Sequence, residues 1–492
     1  MYWSSVSQTI KQKQFNPTCC KPNFNDSRDR LVWFPLLSGL VLVLVSCVCG
    51  CGGGAAGSPL KAAPSISSSA GSAPGSTPAP SSTSAAPSIL NGPSVGLLTF
   101  GNAGFGGDDA NVIQSALNTT AANGQVLRIP AGSYNISPIS FPNNSQLALD
   151  AGVTITANSG YGPFDKMLNI KSKDVTIAGP AATSVIFKMR KSEYAAEHAR
   201  DGSEYRHCLN IEGASNVAVS GISCNQSGGD GLYIGYGAQN QPSQNVTVSD
   251  SIFDQNFRQG WSLISGQHIF VYRCHFTNTS GTNPEAGIDI EPNTPSGVVA
   301  DVHIEDSFTT GNAGPGFKLA FWKIDGTSQT VNLTLLRHHS SANKLSGYDA
   351  NNNDVNSNAR GQVLVQDSYS ENDGSYGALG HWYQANGPTL IFQNLTIANP
   401  HQNGPDPTYG NGDMAAVGLM RGGGGQQPLG NIQFRGVNIS VTNGKVNRYF
   451  NFADDSKKAI EKMVFNPGTL SGASQVPPDG LIEAAGYNTV NQ

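Results

Sequence analysis

Between residues 205 and 385 one short pattern keeps returning: a glycine, then residues that alternate apolar and polar. The segments are GDGLYIG, RQGWSLIS, EAGIDIEP, GPGFKLAF, LSGYDANN and SYGALGHW. Their aligned glycines are Gly231, Gly260, Gly287, Gly316, Gly347 and Gly377, at intervals of 29, 27, 29, 31 and 30 residues. Alternation with period two predicts strands, and a fixed period of this length predicts a solenoid. Several intervals hold a second alternating run, such as Asn245-Val246-Thr247-Val248 or Val302-His303-Ile304. Strands joined by Gly and Asn turns, with no helical pattern between them, predict an all-β, right-handed parallel β-helix of roughly ten coils.

Faces follow from the alternation. Leu232 and Ile234, Trp261 and Leu263, Ile288 and Ile290, and Phe317 and Leu319 occupy the first and third positions after their glycines, so they point inward. Asn256, Asn283, Asn312 and Asn343 each lie four residues before a glycine. Asn tolerates the left-handed backbone of a tight turn, so this column is expected to stack as a structural ladder. Ahead of the repeat, Asp108-Asp109 precede Val112, Ile113, Ala116 and Leu117 at helical spacing, and a strand and turn follow from Gly124 to Tyr134.

The first ninety residues follow another logic. Lys11, Lys13, Lys21, Arg28 and Arg30 precede the apolar run LVWFPLLSGLVLVLVSCV, the order of an export signal. The run ends in Leu44-Val45-Ser46-Cys47, which resembles the lipobox of bacterial lipoproteins. That resemblance implies cleavage before Cys47, a lipid on its sulfur and anchoring to a membrane of the cell envelope; Val48-Cys49-Gly50-Cys51 is a second place for the lipid. An uncleaved membrane anchor is the alternative. From Gly52 to about Ser94 the residues are nearly all Gly, Ala, Ser, Pro and Thr, which lack the apolar bulk for a core. The expected organisation is a leader over 1–46, a tether over 47–94 and the β-helix over 95–492.

Composition narrows the class. Only 13% of residues are charged, 58 are Gly, and the net charge is −5, which excludes a general nucleic-acid binder. Of eight cysteines only Cys208, Cys224 and Cys274 fall in the β-helix; without metal-ligand spacing they read as small buried apolar groups, a single disulfide being the alternative. A monomer is expected.

Chemistry concentrates on the outward face. The second position after each glycine reads Asn210, Tyr233, Ser262, Asp289, Lys318 and Asp349 from coil to coil. Stacked strands are about 4.8 Å apart, so Asp289, Lys318 and Asp349 are expected side by side. Glu291 lies two residues beyond Asp289 on the same face, roughly 6.5–7 Å along the strand. Asp230, Arg258 and Gln259 sit just before column glycines, with Arg206 and His207 one coil earlier and His381 at the far end. Tyr233, Trp322, Trp382 and Tyr383 offer rings for stacking on sugars. A self-paired ladder that keeps one face soluble is the plainer alternative, since exposed pairs contribute only about 0–1 kcal/mol. The charged segment Lys188 to His207 interrupts the repeat beside this face and reads as a binding loop.

The stretch from GGDDANVIQSAL to RIPAGSYNI resembles the N-terminal cap of the pectate-lyase-like superfamily, which includes polygalacturonases and tailspikes. The resemblance implies a short amphipathic helix closing one end. SEYRHCLNIEG, SGGDGLYIG, NFRQGWSLIS and GTNPEAGIDIEPN resemble a bacterial subgroup of β-helix repeat proteins, over roughly residues 95–400. That likeness supplies fold and not mechanism. Polygalacturonases carry aspartates before the column glycine in two successive coils, then Gly-His-Gly and Arg-Ile-Lys. Here only Asp230 matches, and Gln259, Ala286 and Pro315 stand in the following coils.

Three functions remain open. A polysaccharide hydrolase needs two carboxyl groups, for which Asp289, Glu291, Asp230 and Asp349 are candidates, with Lys318 keeping Asp289 ionised. A polysaccharide lyase or uronate epimerase needs a base and a cation; Asp289 and Glu291 are candidate ligands for Ca²⁺, and Lys318, Arg258 or His207 candidate bases or charge neutralisers. A non-catalytic module would bind glycan through Arg206, His207, Tyr233, Arg258, His381 and Trp382 alone.

Overall fold

The computed structural model describes residues 90–104, 106–352, 358–406, 414–421, 427–454, 460–473 and 482–485. The leader, Cys47 and nearly all of the tether lie outside the described residues. From Ser94 onward the chain visits three sheets in turn, and each strand pairs in parallel with the equivalent strand of the next coil. The sheets hold 13, 12 and 12 strands among the described residues, so there are about twelve coils, more than the ten the repeat suggested. Terminal strands such as Ile139–Ser140 and Leu470–Ser471 are too short to show alternation in the sequence.

The core is the inside of the coil. Leu232, Ile234, Trp261, Leu263, Ile288, Ile290, Phe317 and Leu319 are all buried, as their alternation predicted. Trp261 stacks on Phe276, which stacks in turn on Phe253. Cys208, Cys224 and Cys274 are buried and unpaired. The column glycines have a steric cause: a Cβ on Gly260 would lie 2.4 Å from the Gly287 carbonyl oxygen of the next coil.

The helix α1 (Ala110–Ala122) closes the N-terminal end, burying Ile113, Ala116, Leu117 and Thr120 against the first coil. Its first N–H groups are served by Asp108, whose Oδ1 accepts from Ala110 N at 3.0 Å. Asp109 instead ties Gly104 N and Asn135 N to the cap.

The polar ladder differs from the expectation in one coil. Asn312 Nδ2 donates to Asn343 Oδ1 at 2.8 Å, and Asn343 Nδ2 donates to Asp373 Oδ1 at 2.9 Å. One coil earlier the position belongs to Thr279, whose N–H donates to Asn312 Oδ1; Asn283 is exposed. That coil carries a longer turn, so counting back from Gly287 overshoots the ladder. Asp373 ends the ladder, and burial pushes its carboxyl up to about 6.

Candidate functional site

Eight strands of one sheet carry the charged strip. They are β1 (Leu168–Ile170), β2 (Leu209–Glu212), β3 (Leu232–Gly235), β4 (Trp261–Leu263), β5 (Ile288–Ile290), β6 (Phe317–Ala320), β7 (Tyr348–Asn351) and β8 (Ala378–His381). The register runs Asn210, Tyr233, Ser262, Asp289, Lys318, Asp349, one residue from each of β2 to β7. Parallel neighbours therefore collect residues about thirty apart in sequence into one outward row.

Asp289 is the centre of this row. It is fully buried, and its Oδ2 accepts a 2.8 Å hydrogen bond from Gln259 Nε2. Gln259 is itself pinned, because its Oε1 accepts from Ala286 N at 2.9 Å. The other oxygen, Oδ1, has no protein partner. Burial first, then the nearby charge of Glu291, pushes the Asp289 carboxyl up to about 8, with Arg258 and Lys318 pulling the other way. Asp289 is thus biased to its neutral acid near pH 7, contrary to the expectation that Lys318 would keep it ionised. The reason is that burial outweighs the pull of Lys318, whose Nζ donates to Asp349 Oδ2 at 2.9 Å.

Asp349 is the opposite case. Its Oδ1 lies 2.6 Å from His381 Nδ1, and Asn351 Nδ2 approaches His381 Nε2 at 2.8 Å. Burial works against its charge, but His381 and Lys318 outweigh burial and hold the Asp349 carboxyl well below the usual carboxylate range. The row thus holds a neutral acid and a fixed carboxylate two coils apart.

Upstream, Arg258 gathers three carboxylates. It lies 3.1 Å from Glu291, 3.5 Å from Glu204 and 3.8 Å from Asp230. Neither oxygen of the buried Asp230 has a hydrogen-bond partner, and burial pushes its carboxyl up to about 7 against the pull of Arg258. His207 Nδ1 accepts from the Asp230 N–H at 2.9 Å and so carries no proton there. Burial holds this imidazole far below its ordinary pKa, and its ring stacks on Tyr233 with centroids 4.6 Å apart.

Several residues fall elsewhere than expected. Arg206 faces into the protein: its Nε donates to Tyr161 O at 3.0 Å, its NH1 to Ser203 Oγ at 2.8 Å, and its NH2 pairs with Glu197. It is buried, and its bonds to Ser203 and Glu197 hold α2, so it is not presented to a ligand. Tyr383 is buried, its hydroxyl donating to Pro388 O. The segment read as a binding loop is the helix α2 (Lys191–Asp201), docked along the leading edge of the sheet. Tyr194 lies over Gly228, where a Cβ would come within 2.5 Å of its ring. Lys191 Nζ reaches Asn256 O at 3.1 Å and Ser280 Oγ at 3.0 Å. Trp382 is partly exposed on the trailing edge, as is Trp322 two coils earlier. The sequence reading missed Phe164 and Tyr205 as ring-bearing residues, and it missed Gln259 as the partner of Asp289. A glutamine just before a column glycine was the available signal for the last.

The Ca²⁺ expectation can be tested on the donors. Glu291 is paired with Arg258, and Asp289 favours its neutral form, so the two do not fit a dication. Among the described residues no three His, Cys, Asp or Glu side chains converge as metal ligands.

No family model matches the chain. It is 22% identical over 398 residues to the uncharacterized protein YclG of Bacillus subtilis (strain 168), covering 74% of this chain and 59% of that protein. The chain therefore spans less than two thirds of the length of that relative. Similar solved structures include the A-module of the mannuronan C-5 epimerase AlgE4 from Azotobacter vinelandii, at 14% identity, 80% of this chain, 100% of that one and a TM-score of 0.47. A family 28 exopolygalacturonase from Yersinia enterocolitica aligns at 12% identity, 81% and 80% coverage and a TM-score of 0.46. The Streptococcus pneumoniae surface protein and adhesin PfbA aligns at 12% identity, 80% and 97% coverage and a TM-score of 0.49. The chain is a right-handed parallel β-helix. Identities this low carry the fold and nothing about chemistry.

Proposed function

We propose that this β-helix hydrolyses a neutral polysaccharide at the middle of the strip. The observation that carries the reading is Asp289: a buried carboxyl biased to its protonated form, with Oδ2 occupied by Gln259 and Oδ1 unpartnered. With Oδ2 accepting a hydrogen bond, the acid proton belongs on Oδ1. Protonation of a glycosidic oxygen needs such a neutral acid. Glu291 follows on the same face, held by Arg258, and its N–H continues the strand pairing to Leu263 O at 2.9 Å. The roughly 6.5–7 Å between alternate strand positions suits an inverting pair with water between the carboxyl groups. Asp289 Oδ1 is sealed from solvent, so the step requires the overlying side chains to part for the sugar; Asp289 then gives its proton to the leaving oxygen as the C–O bond breaks. Water adds to the anomeric carbon, and Glu291 accepts its proton.

The charge pattern favours hydrolysis of a neutral sugar over lyase or epimerase chemistry. Those reactions need a cation to offset a uronate carboxylate. On the row itself the cations already face carboxylates: Arg258 faces Glu291, Glu204 and Asp230, and Lys318 faces Asp349. The test is a panel of neutral and acidic polysaccharides with the parent, Asp289→Asn and Glu291→Gln. New reducing ends from a neutral polymer, lost in both variants, are expected. Ultraviolet-absorbing unsaturated products, or equal release by Asp289→Asn, would refute the reading; binding without any product would favour a non-catalytic module.

A further inference from the structure

Five aromatic side chains are prominently exposed among the described residues, and four of them lie on the margins of the site sheet. Phe164, 70% exposed, and Tyr205, 43% exposed, each stand four residues before their strands, β1 and β2. Their rings stack at 5.6 Å with 14° between planes, so one face of each is covered and the outer face of Phe164 is open. Lys166 Nζ lies 6.0 Å from the Phe164 centroid. At the opposite corner, Trp322, 43% exposed, and Trp382, 37% exposed, follow β6 and β8 on the trailing edge. Lys323 Nζ lies 5.9 Å from the Trp322 ring. None of the four contributes to the buried core.

We infer that these two aromatic pairs are the end platforms of a single extended glycan site, which runs obliquely across the sheet with the acid pair in its interior. The inference rests on the glycan reading above. Its geometry is set by the coils. From β1 to β8 there are seven steps, roughly 34 Å at about 4.8 Å each. Asp289 on β5 lies four steps from Phe164's strand and three from Trp382's, so several sugar residues extend on both sides of the bond that reacts. Small groups of rings at the two ends of a polar row suit the alternating apolar faces and hydroxyl edges of a sugar chain; a protein partner would call for a contiguous apolar patch. α2 walls the leading edge beside Phe164 and Tyr205, which fixes the side on which the chain leaves the sheet. Cleavage is then internal, and early products are of intermediate length.

The test separates binding from chemistry. Asp289→Asn protein, which keeps the platforms, is run in native gels containing glucomannan, xylan, dextran or hydroxyethyl cellulose. At least one polymer is expected to retard it. Adding Phe164→Ala or Trp382→Ala is expected to weaken that retardation about tenfold each. Tyr369→Ala, which removes the fifth exposed ring from a different sheet, is expected to leave it unchanged. No retardation by any of the four polymers, equal weakening by Tyr369→Ala, or an effect from only one platform would overturn the two-ended site. If the platform variants weaken binding while Asp289→Asn cleaves like the parent, the acid assignment fails and the platforms stand. If cleavage depends on Asp289 but the platform variants bind and cut long polymers like the parent, the platforms fail and the acid assignment stands.

Discussion

Replacing Asp289 by Asn should stabilise the protein at alkaline pH while removing its activity. The carboxyl has a folded-state pKa of about 8 against 3.8 when unfolded. In the unfolded chain the proton leaves near 3.8, whereas in the folded chain it is retained until about 8. Between these values the folded state binds more protons, so stability falls as pH rises and levels off above the folded pKa. Four pKa units at 1.36 kcal/mol each correspond to a loss on the order of 5 kcal/mol. Asparagine has the same shape, cannot ionise and can still accept from Gln259 Nε2. The variant and parent should therefore have similar denaturant midpoints near pH 4 and diverge steadily up to pH 8, the variant being the more stable. Urea unfolding followed by tryptophan fluorescence at each pH measures this directly. A difference that does not change with pH, or a parent more stable at pH 8, would show that Asp289 is not held as a neutral acid.

Arg206→Ala should lower stability by about 3–5 kcal/mol, because it leaves Glu197 only the distant Arg200, 4.0 Å away, and unpins α2; limited proteolysis should then cut within residues 191–201. Asn343→Ala should cost on the order of 2–4 kcal/mol, since it removes hydrogen bonds to Asn312, Ser340 and Asp373 together, and denaturant midpoints read this out. Asp349→Asn should depress activity mainly through kcat: Lys318, released from its partner, would stand beside Asp289, and the alkaline limb of the pH–rate profile should move to lower pH. Labelled palmitate should enter the full-length protein in a bacterial host, and Cys47→Ala should abolish the label; label that persists would point to Cys49 or Cys51.

The sequence carried the row of the site better than its chemistry. One residue of slip in a strand exchanges the two faces, so the inward set from Leu232 to Leu319 sufficed to name Asp289, Lys318 and Asp349 as outward neighbours. Which of them is neutral depends on burial and on who holds Lys318, and neither is a property of local sequence. The helix α2 was hidden for a similar reason. Its segment KSEYAAEHARD looks solvated, and only the notch at Gly228, far along the chain, gives Tyr194 a place to be buried. Asn283 misled because turn length varies between coils while strand register does not.

The glycine column has a consequence for how such a site can change. Gly231, Gly260, Gly287 and Gly347 each lie against the backbone of the next coil, so these coils meet through nearly identical surfaces, as bricks meet through identical faces. A coil can then be gained or lost as a unit with its strand register intact, which lengthens or shortens the row by one rung of about 4.8 Å. Removing the coil of Lys318 in this way would set Asp289 directly beside Asp349. Two carboxyl groups that now have separate partners would become competitors for one proton.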